Sequence, residues 1–543
     1  MATEQTKTKS NNFLIQGTIL AAAGIIVRLI GLAYRIPLVR IVGDEGMGYY
    51  SVAYEIYAII LLLSSYSLPL SVSKMVSARI AEDDYLNADR ILKVSLIYAT
   101  VVGFICFLFL WLTADWFANV FYQLPLCKYA LISLAPTVWI MTYLGVMRGY
   151  YQGQSTMVPT AISQILEQIV NAFVSVGAAW WLCHMALEAA KGEAMASAWG
   201  AAGGTIGTGA GALTALIVLI IMFLRNRKKW TSKVKDSAES GIEKESYASI
   251  SKVLFLTVIP VILSTAVYNL TNIIDAEIFT STMVGHFGID PSSVAADWGV
   301  FTGKFKTLAN IPIAISNSVA SSLIPVMAAA AVAGNKKGVD DGITLALRYT
   351  VLIAFPASIG LTIIGGPVIS LLFGQSDLAT TMTLLGSTGV LFYSISTVTN
   401  AVLQGNNYMR LPVINAVIAL LIHTSIMIIM LRVFRLGIIA VVVCYVLFAL
   451  CMCILNGISI RKKLNHKHNI MLVYIKPFIC SAVMGAVVFV IRHFIEKVTR
   501  SNLVITFVCI AAALAVYMVM VIWTGTITRD ELKRFPVIKR FIK

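Results

Sequence analysis

Two arginines in the first apolar stretch, Arg28 and Arg35 in the run RLIGLAYR, have the clearest capacity for chemistry. Seven residues make two helical turns, so both lie on one helix face, ~10 Å apart along the axis. Two guanidinium forks on one stripe suit a phosphate or diphosphate, which each can grip through paired hydrogen bonds. An arginine at the centre of a membrane helix costs roughly 2.5–3.5 kcal/mol on insertion scales, so it normally faces a water-filled cavity or a partner. Arg35 has a second reading, because it lies near the end of its span and can snorkel to the interface. Gly24 and Gly31 flank the stripe and would let another group approach closely.

Other charges in apolar segments extend this set. Lys304 and Lys306, in FTGKFKTLANIP, open a later apolar stretch. Residues two apart on a helix point about 200° from each other, so one of them faces a cavity; Lys304 is the choice, with Lys306 snorkelling. Lys74 serves either as a substrate contact or as an interfacial anchor, and Lys93, Arg148 and Lys476 read as anchors. The acids are Glu55, Glu167, Asp275 and Glu277. Asp275, near Asn269, Thr271 and Asn272, offers oxygen donors for a coupling cation, Na⁺ or H⁺, or a counter-charge for an arginine. Glu167, beside Gln164 and Gln168, lines a polar cavity or hydrogen-bonds across helices. No other cofactor is expected.

The elements that must position these residues follow from composition. The chain has 543 residues, 58% hydrophobic and 13% charged, with a mean hydropathy of +0.83. A soluble domain carries about 25% charged residues, so a water-soluble enzyme is excluded. Hydropathy gives 14 helical spans, at 12–38, 48–78, 91–112, 129–150, 158–183, 198–224, 253–279, 299–331, 349–373, 377–403, 411–431, 436–458, 471–491 and 501–524. Most of the 42 Lys and Arg fall in segments on the side of the N-terminus, as the positive-inside rule requires if both termini are cytoplasmic. The net charge of +16 therefore reports topology and contact with anionic membrane lipids, and argues against nucleic acid. The basic stretch 225–252 marks the cytoplasmic side most strongly, and the basic tail RDELKRFPVIKRFIK agrees. Two external loops break the rule, with Arg432 and Arg435 in one and Arg492, Lys497 and Arg500 in the other. No cleavable signal peptide is expected, and the eight scattered cysteines read as free thiols.

The chain also repeats itself. YYQGQSTMVP at 150–159 returns as VLQGNNYMRLP at 402–412, and LPLSVSKMVS at 68–77 returns as IPIAISNSVA at 311–320. Their order and similar separation point to one duplication of six spans, with parallel halves. The expected architecture is all-α: an N-terminal six-helix lobe (1–224), a basic linker (225–252), a second six-helix lobe (253–460), then two additional helices and the tail (461–543). Parallel lobes around a central cavity make an alternating-access transporter. GTIGTGAGA at 204–212 looks like a phosphate loop, yet it lies inside a span and lacks the following Lys, so it reads as close helix packing. His466 and His468 in NHKHN have no neighbouring ligand and read as a solvated loop. No nucleotide-hydrolysis or hydrolase motif occurs.

RLIGLAYRIPLVRIVGDEGMGYY, SLPLSVSKMVSARIAEDD and RGYYQGQSTMVPTAISQILEQIV resemble the polysaccharide-biosynthesis branch of the MOP exporter superfamily. Within it the chain is similar to MurJ-type lipid II flippases and stage V sporulation protein B-like members. The resemblance implies 14 spans, two lobes and two extra helices that help form a groove for a lipid tail. It also implies a monomeric, non-enzymatic carrier in the plasma membrane that moves an undecaprenyl-pyrophosphate-linked glycan, most specifically lipid II, from the inner to the outer leaflet. Arg28 matches the first arginine of the family's first-span motif; Arg35 falls one position beyond the second, where Tyr34 stands. Lys304 or Lys306 replaces an eighth-span arginine, and a Tyr replaces a second-span acid. On this resemblance Arg28, Arg35 and Lys304 bind the pyrophosphate in a cavity between the lobes. The membrane potential returns the positively charged empty carrier, at ~2.3 kcal/mol per charge and 100 mV. The alternatives are a flippase for a capsule- or teichoic-type lipid-linked oligosaccharide, and a multidrug/cation antiporter.

Overall fold

The computed structural model describes residues 2–466 and 470–526, and every regular element among them is helical. In chain order these are α1 (Ala2–Leu61), α2 (Leu68–Ala81), α3 (Tyr85–Trp116), α4 (Lys128–Gly153), α5 (Val158–Glu188), α6 (Glu193–Glu239), α7 (Tyr247–Thr280) and α8 (Pro291–Gly299). They continue as α9 (Lys306–Val332), α10 (Lys336–Phe373), α11 (Asp377–Gly405), α12 (Arg410–Arg432), α13 (Ile438–Leu464), α14 (Lys476–Val498) and α15 (Asn502–Trp523). All fourteen spans read from hydropathy fall on helical segments. Ten described helices are long and apolar enough to cross a membrane by length and composition. Large apolar side chains such as Leu112, Phe173 and Trp523 point outward, as lipid rather than water favours. The protein is an all-α, multi-pass membrane protein.

The first two spans share α1. They meet at Gly43, whose φ of 73° and ψ of 179° break the helix without a loop, a conformation that a side chain would strain. The second span then passes through a π-helical turn at Leu62–Tyr66 into α2, which Pro69 opens in its first turn, where a missing N–H costs nothing. The chain forms two compact units, Met1–Gly299 and Val300–Lys543. This division by contact leaves α7 in the first unit, whereas the repeat in the sequence changes over at 225–252.

In the first unit, glycines spaced four apart set the closest helix approaches. A methyl group on Gly149 of α4 would lie 2.9 Å from the Pro69 carbonyl oxygen, and one on Gly153 would lie 2.7 Å from Val76 Cβ. The two sequence motifs that recur in the other half, 68–77 and 150–159, are thus the two sides of one helix contact here. Along α6, Gly203, Gly207 and Gly211 bring the helix against Ala178, Ser175 and Glu167 of α5. The expected packing role of the glycine-rich run is met, at backbone distances that no side chain would allow.

Beyond its apolar part α6 continues as a basic helix, and residues 240–246 are strapped to the corner between α2 and α3. Asp84 caps α3 by accepting from the Asn87 amide at 2.9 Å. The Asn87 side chain donates to the Glu243 carbonyl at 2.9 Å and accepts from the Glu245 amide at 2.9 Å. Arg79 pairs with Glu245 at 2.5 Å, and Trp230 Nε1 donates to Asp89 at 3.0 Å.

In the second unit a buried amide network ties α11, α12 and α13 together. Asn415 donates to Asn456 at 2.9 Å, and Asn456 donates to Asn400 at 2.7 Å and Thr399 at 3.1 Å. The last two helices dock on α10: the Tyr517 hydroxyl donates to the Leu352 carbonyl at 2.7 Å, and Lys476 donates to the Thr524 carbonyl at 3.0 Å. Arg492, one of the charges that broke the positive-inside count, pairs with Glu496 at 2.7 Å. The basic tail and His468 lie outside the described residues. The eight cysteines are free thiols.

Candidate functional site

The first half of α1 presents the Arg28–Arg35 stripe. Arg28 is exposed and Arg35 half-buried. Arg35 Nε is shut off from solvent and has no hydrogen-bond partner among the described residues. A buried guanidinium N–H without an acceptor is costly, and an anionic ligand would supply one. No heavy atom lies within 4 Å of a methyl group placed on Gly24, and at Gly31 the nearest is Gln168 Nε2, at an ordinary 3.7 Å. Room for another group is thus present beside Gly24, while Gln168 already lies in contact beside Gly31.

α5 supplies the polar wall beside it. Asn171 donates to the Tyr34 hydroxyl at 3.4 Å and to Gln168 Oε1 at 2.9 Å; Ser175 donates to Asn171 Oδ1 at 2.8 Å and also reaches the Gly204 carbonyl at 2.7 Å. The α6 glycines fix the height of α5, so the packing stripe also sets the position of these polar groups. The second half of α1 adds a tyrosine ladder at i, i+4 and i+7. Tyr50 and Tyr54 stack at 5.8 Å between centroids, and Tyr54 and Tyr57 meet at 5.3 Å. Tyr50 and Tyr54 lie within electrostatic range of Arg35. Reading charged residues alone misses this ladder, although its spacing is visible in YYSVAYEIY.

Glu167 stands elsewhere in the network. It accepts from Arg148 at 2.5 Å, and Arg148 Nε also donates to Ser163 at 3.1 Å, with the two charged side chains 12% and 21% exposed. Arg148, expected as an interfacial anchor, is instead a buried partner on α4. Helix periodicity could not reveal this, because the acid sits on a neighbouring helix. Lys93, also expected as an anchor, pairs with Asp89 at 2.8 Å.

The remaining candidates are spread over both units. Glu55 and Glu277 both lie within electrostatic range of the buried Tyr122 hydroxyl, so α1 and α7 bring two acids to one region of the first unit. Asp275 and Thr271 are buried on α7, Asn269 is half-buried, and Asn272 is exposed. Lys74 is exposed on α2. In the second unit Lys304 is buried within a π-helical turn at Val300–Phe305. Lys306 lies with Nζ 5.3 Å from the Phe301 ring centroid, a cation–π contact.

Relatives and solved structures resemble the chain over most of its length. Stage V sporulation protein B of Bacillus subtilis (strain 168) is 26% identical over 536 residues, covering 97% of this chain and 98% of that protein. The lipid II flippase MurJ of the same organism is 25% identical over 427 residues, covering 75% and 76%. Among solved structures, an inward closed conformation of lipid II flippase MurJ aligns with a TM-score of 0.65 at 12% identity, over 93% of this chain and 98% of that one. An inward-facing multidrug resistance MATE family transporter of the MOP superfamily aligns with a TM-score of 0.66 at 14% identity, over 81% and 94%. The proteins here whose names state an activity are flippases and a transporter, not enzymes. The family model for polysaccharide biosynthesis proteins matches residues 14–331, which hold the arginine stripe, the tyrosine ladder and the first repeat. The chain belongs to the polysaccharide biosynthesis protein family.

Proposed function

We propose that this protein is a flippase for a lipid-linked polysaccharide precursor, and that its cargo is an undecaprenyl-pyrophosphate-linked glycan, most specifically lipid II, moved from the inner to the outer leaflet of the plasma membrane. The observation that carries the reading is the α1 face: Arg35 holds a buried N–H without an acceptor, on the same stripe as Arg28 two helical turns away, with open space beside Gly24. A diphosphate supplies acceptors for both guanidiniums through charge-assisted hydrogen bonds. The neighbouring tyrosines and the Tyr34–Asn171–Gln168 wall offer aromatic faces and amides to a sugar. The aliphatic tail needs no polar site, because it stays in lipid as the head group crosses.

Two further points support a flippase over a drug antiporter of the same superfamily. The MurJ structure accounts for 93% of this chain against 81% for the MATE transporter. A cationic drug needs an acid beside it, whereas the α1 face presents arginines, and Glu167, next to Gln168 of the polar wall, is engaged by Arg148. Coupling to Na⁺ or H⁺ falls to the acids of α7 and the second half of α1: the buried Asp275 and the half-buried Glu277 and Glu55.

The test replaces the sole essential lipid II flippase by this chain in a conditional-depletion strain and reads surface accessibility of lipid II. Restored growth with accessible lipid II is expected. Failure despite normal membrane insertion would move the cargo to another undecaprenyl-linked glycan.

A further inference from the structure

The cytoplasmic-type basic ends of two helices share a pattern that the transport reading does not use. On α6 a cavity of about 580 Å³ is lined by Leu224, Arg227, Lys228, Thr231, Ser232 and Lys235. On α13 a cavity of about 500 Å³ is lined by Ile458, Arg461, Lys462, Asn465 and His466. The first five residues of one set and the five of the other follow the same order of apolar, Arg, Lys, polar, polar. They have the same spacing of i, i+3, i+4, i+7 and i+8, and each pair is separated by 234 residues. These are the final helices of the two six-span repeats, and each set begins where the apolar span ends. The separation is shorter than that of the earlier motifs partly because α12 has 23 residues where α5 has 31, and partly because the basic set comes earlier along α13 than along α6.

We propose that these are two repeat-related binding sites for the phosphate head group of an anionic lipid. At i, i+3, i+4 and i+7 the residues share one face, so the leading Leu or Ile meets acyl chain at the foot of the site and the Arg–Lys pair meets phosphate above it. Arginine holds a phosphate through two donors, lysine adds a point charge, and Thr231 and Ser232, or Asn465, add neutral donors. No Asp or Glu lines either cavity. One carboxylate stands close by, since Asp340 contacts His466; the charge left to the lipid in the second site is therefore that of Arg461 and Lys462. Basic clusters at this depth draw anionic lipid generally; the spacing within each set is that of one helix face, and what recurs is the order of Arg, Lys and two polar residues directly after the apolar end of each helix. The proposal does not depend on the identity of the transported glycan.

The experiment is native mass spectrometry of the purified full chain, titrated with phosphatidylglycerol in a neutral detergent, with thermal melts confirming that each variant is folded. Two tightly held lipids per chain are expected. R227Q/K228Q should lose one and R461Q/K462Q the other, each site weakening roughly thirty-fold. R225Q/K229Q removes the same charge from α6 positions that do not line the cavity, and should retain both lipids. Equal losses in that control would overturn the proposal in favour of bulk charge. A parallel titration with inorganic phosphate separates the two sources of the anion. If the cavity variants lose phosphate yet keep both lipids, the lipid assignment is wrong.

Discussion

Arg35 on α1 and Arg148 on α4 are both arginines inside the apolar part of the first unit, and their surroundings are opposite. Arg148 is clamped by Glu167 and Ser163 across to α5. Arg35 has tyrosines in electrostatic range and a buried N–H with no acceptor. A closed pair of this kind holds helices in place; a charge left with donating capacity beside open space is equipped to meet something that arrives and leaves. Intramembrane charge by itself does not mark a binding site. What distinguishes the two is whether the fold has already supplied the counter-ion.

The largest effect expected from this contrast is structural. Arg148→Ala strands a buried carboxylate and should cost about 3–5 kcal/mol, read as a lower melting temperature in detergent and poor membrane yield. The double variant Arg148→Gln with Glu167→Gln should recover most of that stability. If Arg148→Ala melts like the wild type, the pair is not the brace described here. Next come Arg28→Ala and Arg35→Ala, which should leave folding intact and weaken head-group binding ten- to hundred-fold, matching the ~1.5–3 kcal/mol of a charge-assisted hydrogen bond. Normal growth of the depletion strain on either variant would remove that arginine from the mechanism.

Tyr54→Ala, in the middle of the ladder, should have a smaller effect of about 0.5–1.5 kcal/mol on cargo affinity, with Tyr54→Phe close to wild type if stacking rather than the hydroxyl is used. The smallest effect concerns Asp297 on α8, whose carboxyl is raised above 3.8 by burial. A raised acid favours the fold most below its unfolded value and loses that contribution as pH climbs through its folded one. Asp297→Asn should therefore raise the melting temperature slightly at pH 7, with the difference vanishing below about pH 4. A constant difference at all pH values would mean that charge is not the cause.

The glycines show how far the sequence carried. GTIGTGAGA read correctly as a packing surface, because four-residue spacing of residues without side chains has one common use inside a membrane. At Gly24 and Gly31 the sequence says only that another group could come close, and the structure leaves room beside Gly24 and sets Gln168 of α5 in contact at Gly31. Nothing local to α1 could say which neighbour each of them would meet. Likewise the tyrosine ladder was written plainly at i, i+4 and i+7, but only the bend at Gly43 shows that it runs beside the arginine stripe rather than away from it.

The sequence by itself determined the all-helical membrane class, the helical segments on which its apolar stretches fall and the charges within them. These depend on composition and on periods of 3.6 and about 20 residues along one chain. Tertiary structure alone decided that Arg148 belongs to Glu167, that Arg35 retains an unmet N–H, and that residues 240–246 strap onto the α2–α3 corner. Each of these depends on which helix lies a few ångströms away. That is set by where glycines let backbones touch, a relation between segments that no single stretch of sequence contains.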